Sequence, residues 1–363
     1  MSRVLIAMSG GVDSSVTAYL LREQGYDCMG ATMRLYNNET IGEHKHATCC
    51  SEDDVWDARN VANRLDMPYY VFNFMDTFDE QVIRRFVCAY ECGRTPNPCI
   101  DCNRYLKFER LYHRARELEC DYIATGHYAR IEHNEKTGRW ELKKALDESK
   151  DQSYVLYAMT QEQLAHTLFP LGALHKPEVR QIAEEQQFLN ARKHDSQDIC
   201  FVPDGDYAAF LRRYSGKDYP SGAFLDTKGK VLGEHKGIVH YTVGQRRGLG
   251  VSSSERLYVQ KTSVADNTVT LCTRDGLFAR GLIADQLNLI SYEKLDEPTR
   301  VTARIRYHQP EQDAVVTQLD DDTIRVDFDQ PQRAIAPGQA VVLYQGDTVV
   351  GGATIREAVD HCE

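Results

Sequence analysis

The sequence predicts an α/β protein with a doubly wound parallel-sheet N-terminal domain, a small β-rich linking domain and a C-terminal antiparallel β-barrel. Three observations carry this reading. Short apolar runs alternate with segments of helical period from the first residues to about residue 200. The first run feeds a glycine turn, Ser9-Gly10-Gly11, that opens the first helical segment, and open parallel sheets bind ligands beyond such strand ends. After about residue 205 helix signals thin out and short β segments take over, punctuated by Pro298, Pro310, Pro331 and Pro337. A chain of 363 residues exceeds what one core usually supports, and the domains are placed at 1–205, 206–280 and 281–363.

Residues 4–8 read as a buried strand. The helical pattern that follows ends near Glu23, with Val12, Val16 and Leu20 on one face, Tyr19 beside them and Gly25 as the stop. Residues 27–33 read as the next parallel strand, apolar as strands covered on both faces are. Met33 stands at its C-terminal end, placed either to touch a bound base or to fill the core. Residues 34–48 form a polar loop in which His44 and His46 are read as solvated rather than metal-ligating. A helix at 51–65 opens on an acidic turn, a strand covers 69–74, and a long helix covers 78–91. Cys88 and Cys92, four apart on that helix, are read as packed thiols. Residues 106–118 are helical, and 120–125 form a strand leading into Gly126-His127-Tyr128. The later strands are expected at 257–261 and 268–272 across an Asp266-Asn267 turn, then at 301–307, 314–319, 323–328, 341–344 and 348–350.

Within Ser9-Gly10-Gly11-Val12-Asp13-Ser14 the glycines let the backbone reach positive φ and approach a bound group closely. The first-turn N–H groups of the helix, with its dipole, then favour an anion. No Gly-Lys-Ser/Thr follows, so the commonest phosphate loop is excluded. The bland alternative is a tight turn without a ligand.

The second informative stretch is Gly93-Arg94-Thr95-Pro96-Asn97-Pro98-Cys99-Ile100-Asp101-Cys102-Asn103-Arg104. Two prolines two apart exclude regular helix here, so Cys99 and Cys102 lie on a loop or at a helix start. A helix N-terminus and the nearby Arg94, Arg104 and Lys107 favour the thiolate. Taken alone, a Cys-x2-Cys is equally a half zinc site or two packed thiols.

Composition sets the bounds. Hydrophobic residues at 42% and charged residues at 27% describe a soluble protein. No stretch approaches a membrane span and no secretion signal is evident, so a cytoplasmic protein without a membrane partner is expected. Eleven cysteines in such a chain are thiols or metal ligands before they are disulfides. A net charge of −11 argues against wholesale nucleic-acid binding, unless Lys and Arg cluster locally. Lys143, Lys144, Lys150, Arg246, Arg247, Arg300, Arg304, Arg306 and His308 are the local basic groups. Arg304 and Arg306 would share one face of a strand.

The SGGVDS segment resembles the pyrophosphate loop of the N-type ATP pyrophosphatases. Together with the TPNPxxxCN stretch, Gly126-His127-Tyr128-Ala129-Arg130, Lys150-Asp151-Gln152-Ser153-Tyr154, Asp195-Ser196 with Ile199-Cys200-Phe201, and Tyr241 to Gly250, it resembles the tRNA-specific 2-thiouridylase family from Arg3 to about Tyr307. The resemblance implies an ATP-dependent sulfurtransferase that adenylates the C2 oxygen of the wobble uridine of tRNA and replaces it with sulfur. It implies an ATP site at Ala7, Met8, Ser9, Gly10, Gly11, Val12, Asp13, Ser14, Met33 and Gly126, with Mg²⁺ offsetting phosphate charge. It implies that Asn97, Pro98 and Cys99 meet the target base, and that Lys150, Asp151, Gln152, Arg306 and Tyr307 meet the tRNA. Cys102 is the implied nucleophile and Cys200 the implied persulfide carrier. The resemblance also implies that a Cys102–Cys200 disulfide closes the cycle and is reduced by a thiol. The resemblance implies a sulfur donor, either a persulfide carrier or sulfide.

One position departs from the family. Better-known members carry Asp where this chain has Cys99, and Asp101 starts two residues away. The alternative is that Cys99, Cys102 and Cys200 ligate a [4Fe–4S] cluster, as in related tRNA thiolases. Two other readings compete. An amide-forming synthetase of the same loop class has no use for three cysteines so placed, and a non-catalytic RNA-binding iron–sulfur protein would not turn ATP over.

Overall fold

The computed structural model describes residues 1–37, 52–193 and 199–359. The His44/His46 loop and the Asp195-Ser196 pair lie outside the described residues. The chain divides into two compact units. The first comprises Met1–Ile83, Cys99–Gly205 and Asp347–Val349; the second comprises Arg84–Pro98, Asp206–Gly346 and Val350 onward.

The first unit is built on a parallel sheet, ordered β3-β2-β1-β4-β7, of β1 (Arg3–Ala7), β2 (Asp27–Arg34), β3 (Tyr69–Asn73), β4 (Tyr122–Ala124) and β7 (Thr167–Leu168). Val4, Leu5 and Ile6 of the central strand have no exposed surface, which is why that run shows no alternation. Helix α1 (Val12–Glu23) packs Val12, Val16, Ala18 and Leu21 into the core, with Tyr19 and Leu20 half-buried against it. β3 is an edge strand, and Tyr70 and Val71 stay exposed.

Simple strand–helix alternation fails at 129–144. There β5 (Ala129–Asn134) and β6 (Arg139–Lys144) form an antiparallel hairpin in register from Ala129↔Lys144 to Asn134↔Arg139. The helix expected at 106–118 begins earlier, at Pro98–Asp101, continues as a π-helical stretch Cys102–Arg110 and ends as Leu111–Glu117. Pro98 opens it because a first-turn residue needs no N–H partner.

In the second unit, helix Arg84–Glu91 buries Phe86 and Tyr90 against Tyr207 and Phe210 of helix Tyr207–Ser215. Cys88 and Cys92 are exposed, which corrects the expectation that they are packed: the aromatic residues take the buried face. A small sheet, ordered β10-β11-β8-β9, joins β10 (Tyr258–Ser263) and β11 (Thr268–Cys272) to β8 (Gly222–Leu225) and β9 (Val231–His235), two strands the sequence does not single out because Gly222, Gly233 and Glu234 interrupt their apolar pattern.

The barrel runs β12-β15-β14-β13-β16-β17 and closes where β17 (Thr348–Val359) pairs with β12 (Phe278–Leu289). Its other strands are β13 (Thr299–Arg304), β14 (Gln312–Gln318), β15 (Ile324–Arg333) and β16 (Ala340–Gln345). Val301, Ala303, Ala314, Val316, Ile324, Val326 and Phe328 alternate inward and fill it. β17 runs past the expected end at Val350, and β12 was not anticipated, because both carry bulges and glycines that break the two-residue period. β13 stops at Arg304, so Arg304 and Arg306 do not share a strand face.

Candidate functional site

The glycine turn follows the end of β1. Met8 is pinned to β2: its N–H donates to Ala31 O at 2.8 Å and its carbonyl accepts from Thr32 Oγ1 at 2.5 Å. Gly10 adopts φ +72°, and a Cβ there would sit 2.4 Å from Asp54 O, so only glycine fits. Ser14 Oγ accepts from the Ser9 N–H at 3.2 Å and donates to Gly11 O at 3.0 Å, which closes the loop on itself. Gly11 precedes α1 without a side-chain cap, leaving the first-turn N–H groups to an incoming anion. A Cβ on Gly126 would lie 2.9 Å from the Asp13 carbonyl carbon and from Ser14 N, so the strand end after β4 presses directly on this loop. Met33 is half-buried beside the same sheet edge.

Several side chains that the sequence did not single out complete the region. Lys176 Nζ lies 2.7 and 2.8 Å from the two Asp13 carboxylate oxygens, and Tyr128 OH donates to one of them at 2.8 Å. Lys176 is only 7% exposed. On the other side of the turn, Asn190 Nδ2 donates to Gly10 O and to Ser15 Oγ, both at 2.9 Å. Lys193 Nζ reaches Asp54 at 2.6 Å, Asp57 at 2.7 Å and Gly10 O at 3.4 Å. Burial opposes the Lys193 charge, but Asp54 and Asp57 outweigh it and raise its pKa. The only sequence signal was the acidic turn containing Asp54, which reads as ordinary helix-start chemistry.

His127 is buried, with Nδ1 2.6 Å from Thr125 Oγ1 and Nε2 3.4 Å from Lys107 Nζ. Burial, then the Lys107 charge, holds its pKa well below 6.5, so the imidazole is neutral. A lysine can only donate, which makes Nε2 the acceptor and places the ring proton on Nδ1. Asp151 is 6% exposed and spends its carboxylate on the N–H groups of Ala145 and Ser153 and the Ser153 hydroxyl. Gln152 Oε1 accepts from Tyr128 N–H at 2.9 Å. Gln152 therefore braces the Tyr128 segment and Asp151 ties Ala145 to the start of the helix at Ser153, while Lys150 is half-buried.

Cys99 is exposed, and Cys102 and Cys200 are half-buried. Cys102 opens the π-helical stretch, a geometry frequent at functional sites. Asn103 anchors it through Nδ2 to Val155 O at 2.9 Å. Cys200 is held by its backbone, whose carbonyl accepts from Tyr36 OH at 2.9 Å, and by Phe201 packed edge-on against Phe78. Asn97 is half-buried and Pro98 buried. Among the described residues no three His, Cys, Asp or Glu side chains are gathered as a metal-ligand set. Cys28 and Cys120 are set apart chemically, since burial pushes each thiol up to about 11.

The basic groups divide. Arg246 and Arg247 are exposed. Lys143 pairs with Glu132 and Glu141, Arg300 with Asp329, and Arg304 with Glu311 at 2.9 Å. Arg306 Nη2 donates to Val243 O at 3.0 Å and Ala334 O at 3.1 Å, and Tyr307 is half-buried beside it.

An open parallel sheet whose first strand feeds an SGGVDS turn and an uncapped helix start defines a nucleotide-binding α/β domain of the ATP-pyrophosphatase class. Comparison with known proteins gives the family. The tRNA methyl transferase HUP domain family matches residues 2–204, its PRC-barrel domain matches 208–273, and the aminomethyltransferase beta-barrel domain matches 279–355. A protein of Clostridioides difficile named tRNA-specific 2-thiouridylase MnmA is 49% identical over 98% of this chain and 99% of its own. A like-named protein of Thermoanaerobacter pseudethanolicus is 52% identical over 99% of each. The chain belongs to the tRNA-specific 2-thiouridylase family. Among solved structures, the U34-tRNA thiolase NcsA of Methanococcus maripaludis, with its [4Fe–4S] cluster, is 18% identical over 59% of this chain and 72% of its own, at a TM-score of 0.36. That likeness is too slight to build on.

Proposed function

We propose that this protein is an ATP-dependent tRNA uridine 2-sulfurtransferase. The observation that carries the reading is the SGGVDS turn with its Gly10 cradle in a chain about half identical to thiouridylases along its whole length. The test is direct: purified protein, ATP and unmodified tRNA should release AMP and pyrophosphate in a tRNA-dependent manner and, with a sulfur source, yield 2-thiouridine. ATP turnover that tRNA does not stimulate would overturn it.

A pyrimidine carbonyl oxygen is a poor leaving group. Attack of the uridine C2 oxygen on the ATP α-phosphorus, with expulsion of pyrophosphate, converts it into AMP, which leaves readily. The Gly11 and first-turn N–H groups face the phosphates, where preorganised donors are most effective. Mg²⁺ would supply charge neutralisation at the phosphates, and Asp13, whose carboxylate Lys176 and Tyr128 hold, is the residue that would hold it. Ala7 to Ser14, Met33 and Gly126 form the nucleotide site of this reading.

For sulfur we propose a persulfide route. The terminal sulfur of a Cys200 persulfide attacks C2 and AMP departs. The Cys102 thiolate then attacks Cys200 Sγ, the S–S bond breaks toward the base, and 2-thiouridine and a Cys102–Cys200 disulfide result. A thiol reductant restores the cysteines. The persulfide is loaded by a donor protein or from sulfide and an oxidant. The second reading, a cluster on Cys99, Cys102 and Cys200, is favoured by the third soft thiol at Cys99. Among the described residues the three thiols are not gathered as a ligand set. Asn97, Pro98 and Cys99 address the base, and Lys150, Asp151, Gln152, Arg306 and Tyr307 serve the tRNA, the buried Asp151 through its neighbours. The family matches support division near residues 205 and 280. No described helix is long and apolar enough to cross a membrane, and a cytoplasmic site fits a tRNA substrate.

A further inference from the structure

We propose that Asn190 and Lys193 are positioning residues of the nucleotide loop, which act by holding the Gly10 carbonyl and thereby aiming the Gly11 N–H at the pyrophosphate end of ATP. The inference deepens the proposed function and rests on it. A trans peptide is planar, with its N–H directed opposite to its C=O. Fixing the Gly10 oxygen therefore fixes the Gly11 N–H. Two donors converge on that oxygen, Asn190 Nδ2 at 2.9 Å and Lys193 Nζ at 3.4 Å. Among the described residues no acceptor lies on the Gly11 N–H, so the far side of the same peptide is left for a ligand.

Both donors are themselves held. Asn190 is 3% exposed and shares its amide with Ser15 Oγ on α1, and its Oδ1 is buried without a hydrogen-bond partner. That orphaned acceptor has a cost which a purely structural asparagine would not need to bear. Lys193 is bridged between Asp54 and Asp57, and the Asp54 backbone occupies the space that a Cβ on Gly10 would need. One cluster thus sets both the positive φ of Gly10 and the direction of the next N–H. An ammonium and an amide on the carbonyl also polarise the peptide and strengthen its N–H as a donor. A free loop would have to give up that orientation entropy on binding, whereas this one is aimed beforehand.

The experiment uses the full-length protein and inorganic pyrophosphate as the probe. Pyrophosphate and AMP are each titrated as inhibitors of tRNA-dependent ATP cleavage in Asn190→Asp, Lys193→Met and Lys193→Arg. Asn190→Asp replaces the donor with an acceptor of the same shape. Asn190→Asp and Lys193→Met are expected to weaken pyrophosphate inhibition about tenfold and to lower kcat about 10- to 100-fold, with AMP inhibition and the KM for tRNA unchanged. Lys193→Arg should recover most of both. If the Met and Asp variants melt early, Asp57→Asn, which removes one brace, should shift pyrophosphate inhibition in the same direction by about twofold to threefold. Folded variants that bind pyrophosphate like the parent, or that lose AMP and pyrophosphate equally, overturn the inference. A parent protein without tRNA-dependent cleavage overturns instead the function on which it rests.

Discussion

The glycine turn and the cysteine segment are the two short stretches that carry this protein's chemistry, and they are built in opposite ways. The turn is tied from both sides by side chains far away in sequence, buried except for the half-buried Lys193: Lys176 and Tyr128 on Asp13, and Asn190 and Lys193 on Gly10. The cysteines are placed by backbone and by neighbours, through Asn103 and the Cys200 carbonyl, while Cys99 stays exposed. The difference follows from the two tasks. Binding a polyphosphate rewards donors fixed in advance. Passing a sulfur atom between thiols requires that they be reached from outside and change partners, so the same rigidity would be a handicap.

The largest effect expected from breaking the comparison is at the turn. Asp13→Ala should lower tRNA-dependent AMP release by about a thousandfold or more, because it removes a phosphate-side carboxylate and leaves Lys176 buried without it. Filter binding should find tRNA affinity nearly unchanged. AMP release at the parental rate would separate this turn from the adenylation step. On the other side, Cys102→Ala and Cys200→Ala should abolish thiolation, read as 2-thiouridine by mass spectrometry of digested tRNA, while ATP cleavage to AMP continues within a few-fold. Loss of both halves together would mean that the two regions are not separable.

Cys99 sharpens the contrast further. Because it is exposed, Cys99→Asp is expected to keep thiolation within about threefold if sulfur passes by the persulfide route. The measurement is thiolated tRNA formed per enzyme under anaerobic conditions, with iron assayed on the same sample. An iron-loaded parent that loses iron and activity together on this change would transfer the chemistry to the cluster reading, since a hard carboxylate replaces a soft thiolate.

What the sequence disclosed tracks the range of the physics. The SGGVDS turn was legible because its demands, glycine at positive φ after a buried strand and before a helix, are local. The parallel order was legible because strands covered on both faces lose their alternation. Lys176, Asn190 and Lys193 were not, since their roles arise from contacts spanning from 163 to 183 positions along the chain. The exposure of Cys88 and Cys92 was misread for a related reason: which face of a helix is buried depends on what packs there, here Tyr207 and Phe210. The hairpin at 129–144 and strand β12 were missed because charged residues and bulges interrupt their period.

A smaller effect is expected at Arg306, which combines a structural tie with a charge. Arg306→Gln should cost about 1–2 kcal/mol by leaving the carbonyls of Val243 and Ala334 without their donor. It should also reduce the slope of log affinity for tRNA against log salt by about one contact. Arg306→Lys keeps the charge but not the fork, so the slope should persist while the melting temperature still falls. A slope unchanged in Arg306→Gln would leave only the tie.

The smallest expected effect tests the burial behind the glycine turn through pH. His127 is neutral in the folded protein because burial and Lys107 hold its pKa well below 6.5, whereas in the unfolded chain it titrates near that value. The unfolded state therefore binds the extra proton, and stability rises with pH across the interval between the two values. The contribution is fully present above pH 6.5 and is lost as pH falls toward the folded pKa. One differential proton limits the slope to about 1.4 kcal/mol per pH unit. Urea midpoints measured between pH 7.5 and pH 5 should fall in the parent, and fall less steeply in His127→Gln, which keeps an acceptor for Lys107 but cannot titrate. Parallel curves would mean that the imidazole is protonated where it lies, with the Thr125 hydroxyl as acceptor and Lys107 turned away.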